Sequence, residues 1–370
     1  MAMSHPPITI NTKRLLDTFL AMLSVDSYYG DEERVVEVIK PRMDGLGITW
    51  RSDRNGNLIG DWPARDKTSE PIILNAHMDT VRPTPEMVPV VKSDGVYSDG
   101  SSVLGADDKA GIAAIMEAVQ AFHESGHPHG PVELLFTTGE DVGHIGSKAF
   151  DITDVTSRRC YVFDAGGPVG GVVMRAPGQR RFNLTFRGKA AHAGVEPELG
   201  ISAISMAARA IDRMPLGRVD DITTANVGTI EGGQAYNIVA PEAAVTVESR
   251  SLSETRLEKQ VTDITNAATQ AAEDYGGEVD IETHTFYQAY QLDESDPAVQ
   301  LADTAIEAAG LELRHVSTGG GSDAHEFNEK GITSVCLGMG YIDVHSVKEF
   351  MPHAALQDAT RLAVELIRHG

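Results

Sequence analysis

Apolar residues recur at helical spacing near the start of the chain, at Leu15, Leu16, Phe19, Leu20 and Leu23, and predict an opening helix. A second helix is expected from Asp31, with Val35, Val36, Val38, Ile39 and Met43 as its apolar surface. Asn55-Gly56-Asn57 signals a turn. Short apolar runs then alternate with helical stretches. Ile72-Ile73-Leu74 reads as a strand ending at Asn75-Ala76-His77, and Gly111 to Phe122 as a helix. Val132 to Phe136 reads as a strand ending in Thr137-Thr138-Gly139-Glu140, and Tyr161-Val162-Phe163 as one ending at Asp164. This alternation predicts an α/β domain whose mixed, mostly parallel sheet is flanked by helices on both faces.

The pattern changes after residue 176. Phe182 to Phe186 alternates apolar and polar positions, as a strand with one solvated face does. A helix follows with Ile201, Ile204, Ala208 and Ile211 on one side, then strands over Thr223–Ile230 and Ala244–Ser249. Ser251 and Glu254 read as a capping box for a helix with the stripe Leu257, Val261, Ile264, Ala268 and Ala271. A last strand is expected over Val279–Thr285. The order β-α-β-β-α-β is that of a four-stranded ferredoxin-like module. Helix–strand alternation resumes near Leu292. The expected organisation is therefore one α/β domain over 1–176 and 290–370, with an α+β domain inserted over 177–289.

A length of 370 residues suits this two-domain plan, and 41% hydrophobic with 23% charged residues is a globular composition. Acidic residues number 54 against 31 basic ones, a net charge of −23. Such a surface repels phosphate backbones and anionic membranes, so neither nucleic acid nor membrane is an expected partner. No apolar run is long enough to span a bilayer. The start, MAMSHPPITINTKRLLDTF, lacks the features of a secretory leader. Cys160 and Cys336 lie in apolar runs and read as buried thiols, not a disulfide. A cytoplasmic location follows as the expectation.

Some of the carboxylates sit where chemistry is done. Five segments at the ends of strand-like runs hold ionisable groups: His77-Met78-Asp79, Gly105-Ala106-Asp107-Asp108-Lys109, Gly139-Glu140-Asp141-Val142-Gly143, Phe163-Asp164 and Val344-His345-Ser346. Open α/β sheets build sites beyond the carboxyl ends of their strands, so these segments can meet. Two imidazoles and three carboxylates suit a pair of zinc-like ions. A shared carboxylate would keep such ions about 3.5–4 Å apart. A carboxylate that is not a ligand can act as general base, and an Asp two residues after a His ligand can hold its tautomer. His123, His127 and His129 lie in a Gly/Pro-rich loop without carboxylates in ligand order and are expected in solvent. His144, close to the site motif, receives no role.

These motifs resemble the di-zinc metallopeptidase family that includes peptidase T, bacterial glutamate carboxypeptidase and aminoacylase, and most of all its peptidase T-like branch. The resemblance rests on HMDT at 77–80, GADDKAG at 105–111, GEDVGHIGS at 139–147, FDAGG at 163–167, GKAAHAG at 188–194 and HSVKEF at 345–350. It implies a zinc-exopeptidase fold with a lid or dimerisation domain at the insertion, and hence a homodimer. It implies Asp107 as the ligand shared by two divalent ions, most readily Zn2+, with Co2+ or Mn2+ also suited to the donors. His77 and Asp164 would complete one ion, Asp141 and His345 the other. Glu140 would be the general base and Asp79 the residue that orients His77. The family usually has Glu-Glu where this chain has Glu140-Asp141. Asp at 164 is similar to the aminopeptidase branch, whereas the carboxypeptidase branch has Glu.

The same resemblance marks His192 as a group that steadies the scissile carbonyl of a neighbouring subunit's site. Asn237 and Arg250 resemble lid residues that hold substrate, and Arg250 would clamp a carboxylate. Gly319 to Asp323, including Gly320 and Ser322, resembles a glycine-rich substrate loop. It is no phosphate loop, because no Gly-Lys-Ser/Thr follows. The expected activity is hydrolysis of short peptides with removal of the N-terminal residue. The alternative is an amidohydrolase acting on N-acyl amino acids. A non-catalytic binding protein would have lost catalytic groups, yet Glu140, the five ligands and His192 are all present.

Overall fold

Local signals set the first helices. In a computed structural model, which describes residues 6–84 and 87–370, α1 spans Thr12–Leu23. The Asn11 side chain caps it, accepting from the Arg14 N–H at 3.0 Å. Leu15, Phe19 and Leu23 are buried along one face, each contributing roughly 1.5–3 kcal/mol by leaving water. α2 spans Glu33–Arg42, and Glu32 precedes it without capping it. Its carboxylate instead accepts from the N–H groups of Gly30, at 2.7 Å, and Gly139, at 3.2 Å. The first five residues of the segment read for a leader lie outside the described residues.

The chain forms two compact units. One comprises the chain to Met174, Gln291–Ser317 and Ser322–Gly370; the other comprises Arg175–Tyr290 with Thr318–Gly321. In the first unit the early elements are β1 (Thr49–Ser52), β2 (Leu58–Trp62), β3 (Ile72–His77), β4 (Val90–Val91), β5 (Gly95–Tyr97), α3 (Ala106–Ser125), β6 (Val132–Thr137), α4 (Ile145–Ala149), β7 (Arg159–Ala165) and β8 (Gly171–Ala176). The second unit contains β9 (Gly178–Arg187), α5 (Ala203–Arg213), β10 (Gly217–Asp220), β11 (Thr223–Gly232), β12 (Glu242–Ser251), α6 (Glu254–Tyr275) and β13 (Glu278–Tyr287). The chain then passes through β14 (Tyr290–Gln291), α7 (Pro297–Ala308), β15 (Arg314–Ser317), α8 (Asp323–Glu329), β16 (Thr333–Gly338), β17 (Phe350–Pro352) and α9 (His353–His369).

The main sheet of the first unit runs β1-β2-β6-β3-β7-β16-β8-β14, with β15 beside β8. Its centre, β6-β3-β7-β16, is parallel, while β2 joins β6 and β8 joins β16 antiparallel. Of the central strands, β3 and β6 are buried along their length and mostly apolar, as strands covered on both faces are. Register places His77 opposite Thr137, and Gly338 opposite Ala165, so the parallel strands end along one edge of the sheet. Cys160 and Cys336 are buried free thiols in β7 and β16. His129 departs from the solvent-exposed reading: it is buried, with its ring 3.7 Å from that of Trp62. An uncharged imidazole is flat and apolar enough to finish that edge of the core, and burial pushes its pKa down.

The second unit has its own core of Phe182, Leu184 and Phe186 from β9, Val245 and Val247 from β12, and the inner faces of α5 and α6. Its strands are antiparallel in the order β10-β11-β12-β9-β13. Without β10 this is the ferredoxin-like arrangement; the short β10 makes five strands where the pattern indicated four. Two details also differ from expectation. The buried face of α5 is Ala203, Met206, Ala207 and Ala210, whereas Ile204 is 43% exposed and Ala208 faces solvent. Ser251 is the last residue of β12, not the cap of α6; Ser253 is the N-cap, and its N–H donates to the Ser251 hydroxyl at 3.2 Å.

Candidate metal centre

Strand ends deliver four of the predicted site residues. His77 is the last residue of β3, Asp164 is the last but one of β7, and Glu140 and Asp141 follow β6 by a short loop. Asp107 and Asp108 lie where α3 begins, joined by a cis peptide. Neither has helical angles, Asp107 having ψ 105° and Asp108 φ −119°. His345 sits between β16 and β17 with a left-handed φ of 62°. Its side chain is 52% exposed, whereas those of His77, Asp107, Asp141 and Asp164 are each at most a tenth exposed.

The five converge. His77 Nε2 lies 3.1 Å from Asp107 Oδ1 and 3.7 Å from Asp164 Oδ1. His345 Nε2 lies 3.1 Å from Asp107 Oδ2 and 3.3 Å from Asp141 Oδ1. Each Asp107 oxygen thus faces a different imidazole. The sets His77, Asp107, Asp164 and Asp107, Asp141, His345 each offer ligand atoms within 4.8 Å of one another. A third set, His77, Asp79 and Asp141, was not anticipated.

The electrostatics fit cations. Burial and the neighbouring charges of Glu140 and Asp107 push the Asp164 carboxyl well above its ordinary range. Burial, against the pull of His345, pushes Asp141 up to about 7. Burial would raise Asp107 too, but His345 and His77 overcome it and hold Asp107 low. His345 is raised to about 10 by its bonds to Asp107 and Asp141. Asp141 Oδ2 and Asp108 Oδ1 are buried without a hydrogen-bond partner. Divalent ions would balance these buried acids with the ligands deprotonated.

Supporting residues were less legible. Asp79 was expected to orient His77, and its carboxylate lies 3.5 Å from His77 Nδ1, with its carbonyl oxygen nearer at 3.1 Å. The same carboxylate also accepts from the N–H groups of Glu140, at 2.9 Å, and Asp141, at 3.1 Å. Glu349 accepts from the N–H groups of Gly105 and Asp107, at 2.9 and 3.1 Å. Tyr341 donates to Asp164 at 3.2 Å. Asp108 accepts from the His77 N–H at 3.2 Å. Glu349 carried a signal, since it lies in the HSVKEF motif; Tyr341 carried none. Glu140 is buried with Oε1 3.3 Å from His144 Nε2, and His144 Nδ1 lies 3.1 Å from Glu326 Oε1. Burial would lower the His144 pKa, but its bonds to Glu140 and Glu326 raise it to about 9.

Ser322 lies in this unit and caps α8: its side chain accepts from the His325 N–H, and its own N–H donates to His325 Nδ1 at 3.2 Å. His192, Asn237, Arg250 and Gly320 belong to the second unit. The His192 and Asn237 loops pair there, the Ala193 N–H donating to the Asn237 carbonyl at 3.0 Å, and both residues are exposed. Arg250 donates to the Gly319 carbonyl and to Glu248, each at 3.1 Å. The Gly320 N–H donates to the Thr318 hydroxyl at 3.1 Å.

A parallel-centred α/β sheet with clustered imidazoles and carboxylates beyond its strand ends defines a hydrolase of the metallopeptidase class. The sequence pattern of peptidase family M20/M25/M40 matches residues 73–369, and the chain belongs to that family. The chain is 38% identical to the YqjE protein of Bacillus subtilis strain 168 over 368 residues, 98% of this chain and 99% of that one. The aminopeptidase PepT from Bacillus cereus ATCC 10987 superimposes with a TM-score of 0.87 at 38% identity, over 97% of this chain and 99% of that one. A tripeptidase from Staphylococcus aureus subsp. aureus Mu50 superimposes with a TM-score of 0.91 at 37% identity, over 97% and 98% of the two chains.

Proposed function

We propose that the protein is a cytoplasmic aminopeptidase that uses two divalent cations, zinc foremost, to release the N-terminal residue of short peptides. The observation that carries this reading is Asp107, whose two oxygens face His77 and His345 at 3.1 Å each. Likeness over nearly the whole chain to an aminopeptidase and a tripeptidase supports the substrate class. No helix among the described residues is long and apolar enough to cross a membrane.

His77, Asp107 and Asp164 would hold one cation, and Asp107, Asp141 and His345 the other. Bound there, the pair supplies Lewis-acid polarisation of the scissile carbonyl and eases ionisation of water. Glu140 would take the proton of the attacking water and return it to the leaving amine. Asp79 would fix His77 and, through two backbone N–H groups, the turn that carries Glu140. His192, contributed within a homodimer formed through the second unit, would stabilise the developing oxyanion. Asn237, Arg250, Gly320 and Ser322 would hold the peptide, with Arg250 engaging its carboxylate.

The test is direct. Zinc-loaded enzyme is given tripeptides and N-acetyl amino acids side by side, and products are read by mass spectrometry. Release of the first residue of a tripeptide is the expected result. Cleavage of the acyl amino acids alone overturns the peptidase reading.

A further inference from the structure

We propose that His144 is a positioning residue that fixes the carboxylate of Glu140 by bridging it to Glu326. The inference rests on the reading of Glu140 as the base. The ring is buried, and its two nitrogens meet different carboxylates: Nε2 lies 3.3 Å from Glu140 Oε1, and Nδ1 lies 3.1 Å from Glu326 Oε1. A glutamate has three side-chain torsions, so a base without such a tie would sample positions away from the proton it must take. The tie is anchored at its far end, because Glu326 is itself buried on α8. His325, next to it, places its ring 6.0 Å from that of His144.

The backbone is set up to present this ring. His144 has φ 57° and ψ 37°, a left-handed conformation that costs a histidine on the order of 1 kcal/mol or more. Its surroundings hold it there. The His144 N–H donates to the Glu140 carbonyl at 2.8 Å, Ile145 to Gly139 at 2.9 Å, and Gly146 to Thr138 at 2.8 Å. Buried Asn57 closes the loop from outside, accepting from the Thr138 N–H at 3.1 Å and donating to the Gly146 carbonyl at 3.0 Å. Among the described residues, no candidate metal group includes His144 or Glu326. Held between Glu140 and Glu326, the ring acts on the base.

The test compares His144→Ala and His144→Gln with wild type, reading kcat, KM and bound metal per chain by elemental analysis. His144→Ala is expected to lower kcat about 10- to 100-fold, with KM and metal content changed by less than about twofold. His144→Gln keeps one N–H able to reach Glu140 and is expected to recover part of that loss. An unchanged kcat in His144→Ala overturns the proposal. So does a loss of metal in step with kcat, or a His144→Gln variant no better than alanine. If the alanine variant fails to fold, Glu326→Leu carries the test. It keeps the ring and the loop but removes the acceptor at Nδ1, and should lower kcat about three- to tenfold at unchanged metal content, whereas unchanged kcat overturns the bridge. Glu140→Ala separates the two readings. If it is inactive while His144→Ala is normal, only the bridge falls; if it turns over normally, the base assignment falls and the bridge with it.

Discussion

At the scale of single residues, what distinguishes the site is how many groups one aspartate serves. Asp79 touches His77 through its carboxylate and carbonyl, and its two carboxylate oxygens also accept from Glu140 and Asp141. Asp79→Ala is therefore expected to loosen a candidate ligand and the turn carrying the proposed base together. Metal affinity, read by competition with a chromophoric chelator, should fall about 10- to 100-fold. Glu140→Ala should behave differently: kcat should fall about 10²- to 10⁴-fold while metal content is kept. Loss of metal in Glu140→Ala would make Glu140 a ligand instead. His77, Asp107, Asp141, Asp164 and His345 were legible because each ends or follows a strand-like run, where an unpaired ionisable group stands out. His144, Glu326 and Tyr341 were not, since the His144–Glu326 contact joins side chains 182 positions apart and the Tyr341–Asp164 bond side chains 177 apart.

At the scale of elements, periodicity located α1, α2, α3, α5 and α6 and the strands β3, β6, β7, β9, β11, β12 and β13, but it left β1, β2, β8 and the elements after β13 without bounds and misjudged the orientation of one helix. On α5 the isoleucines set the predicted face, yet the helix packs on its alanines and Met206. Small residues let the helix approach the sheet closely, and the bulkier Ile204 is left outside. The edge strand β10 escaped notice because its four residues, GRVD, show no apolar alternation. One inter-element tie has a pH dependence with a definite sign. His315 on β15 lies 2.9 Å from Asp303 on α7, with Glu294 at 3.7 Å, and the Asp303 bond raises the imidazole pKa above its ordinary 6.5. The folded state binds this proton more tightly than the unfolded chain. The tie is thus fully present below 6.5 and is lost as pH climbs through the raised value. His315→Gln should lower the urea midpoint in mildly acidic solution and scarcely at all in alkaline solution. Screening at this exposed site limits the effect to about 0.5 kcal/mol. An equal loss at both pH values would mean that packing, not charge, joins the two elements.

At the scale of the whole molecule, the two hydrophobic cores share no residue, and every candidate metal ligand lies in the first unit. The net charge of −23 is part of the same picture. Several of its carboxylates, Asp107, Asp141 and Asp164 among them, are buried together in that unit, where bound cations would cancel them. Cation binding should then stabilise one unit selectively. At free metal 100 to 1,000 times the dissociation constant the gain is about 2.7 to 4.1 kcal/mol. The chain supplies its own probe: its two tryptophans, Trp50 and Trp62, both lie in the first unit. Thermal unfolding followed by tryptophan fluorescence therefore reports that unit alone, while far-ultraviolet circular dichroism reports both. Chelation should move the fluorescence transition to lower temperature and leave a circular dichroism component from the second unit where it was. Restoring zinc should reverse the shift. If both signals fall together, the units unfold as one cooperative body; if neither moves, the cluster does not bind metal with useful affinity, and the peptidase mechanism proposed above loses its foundation.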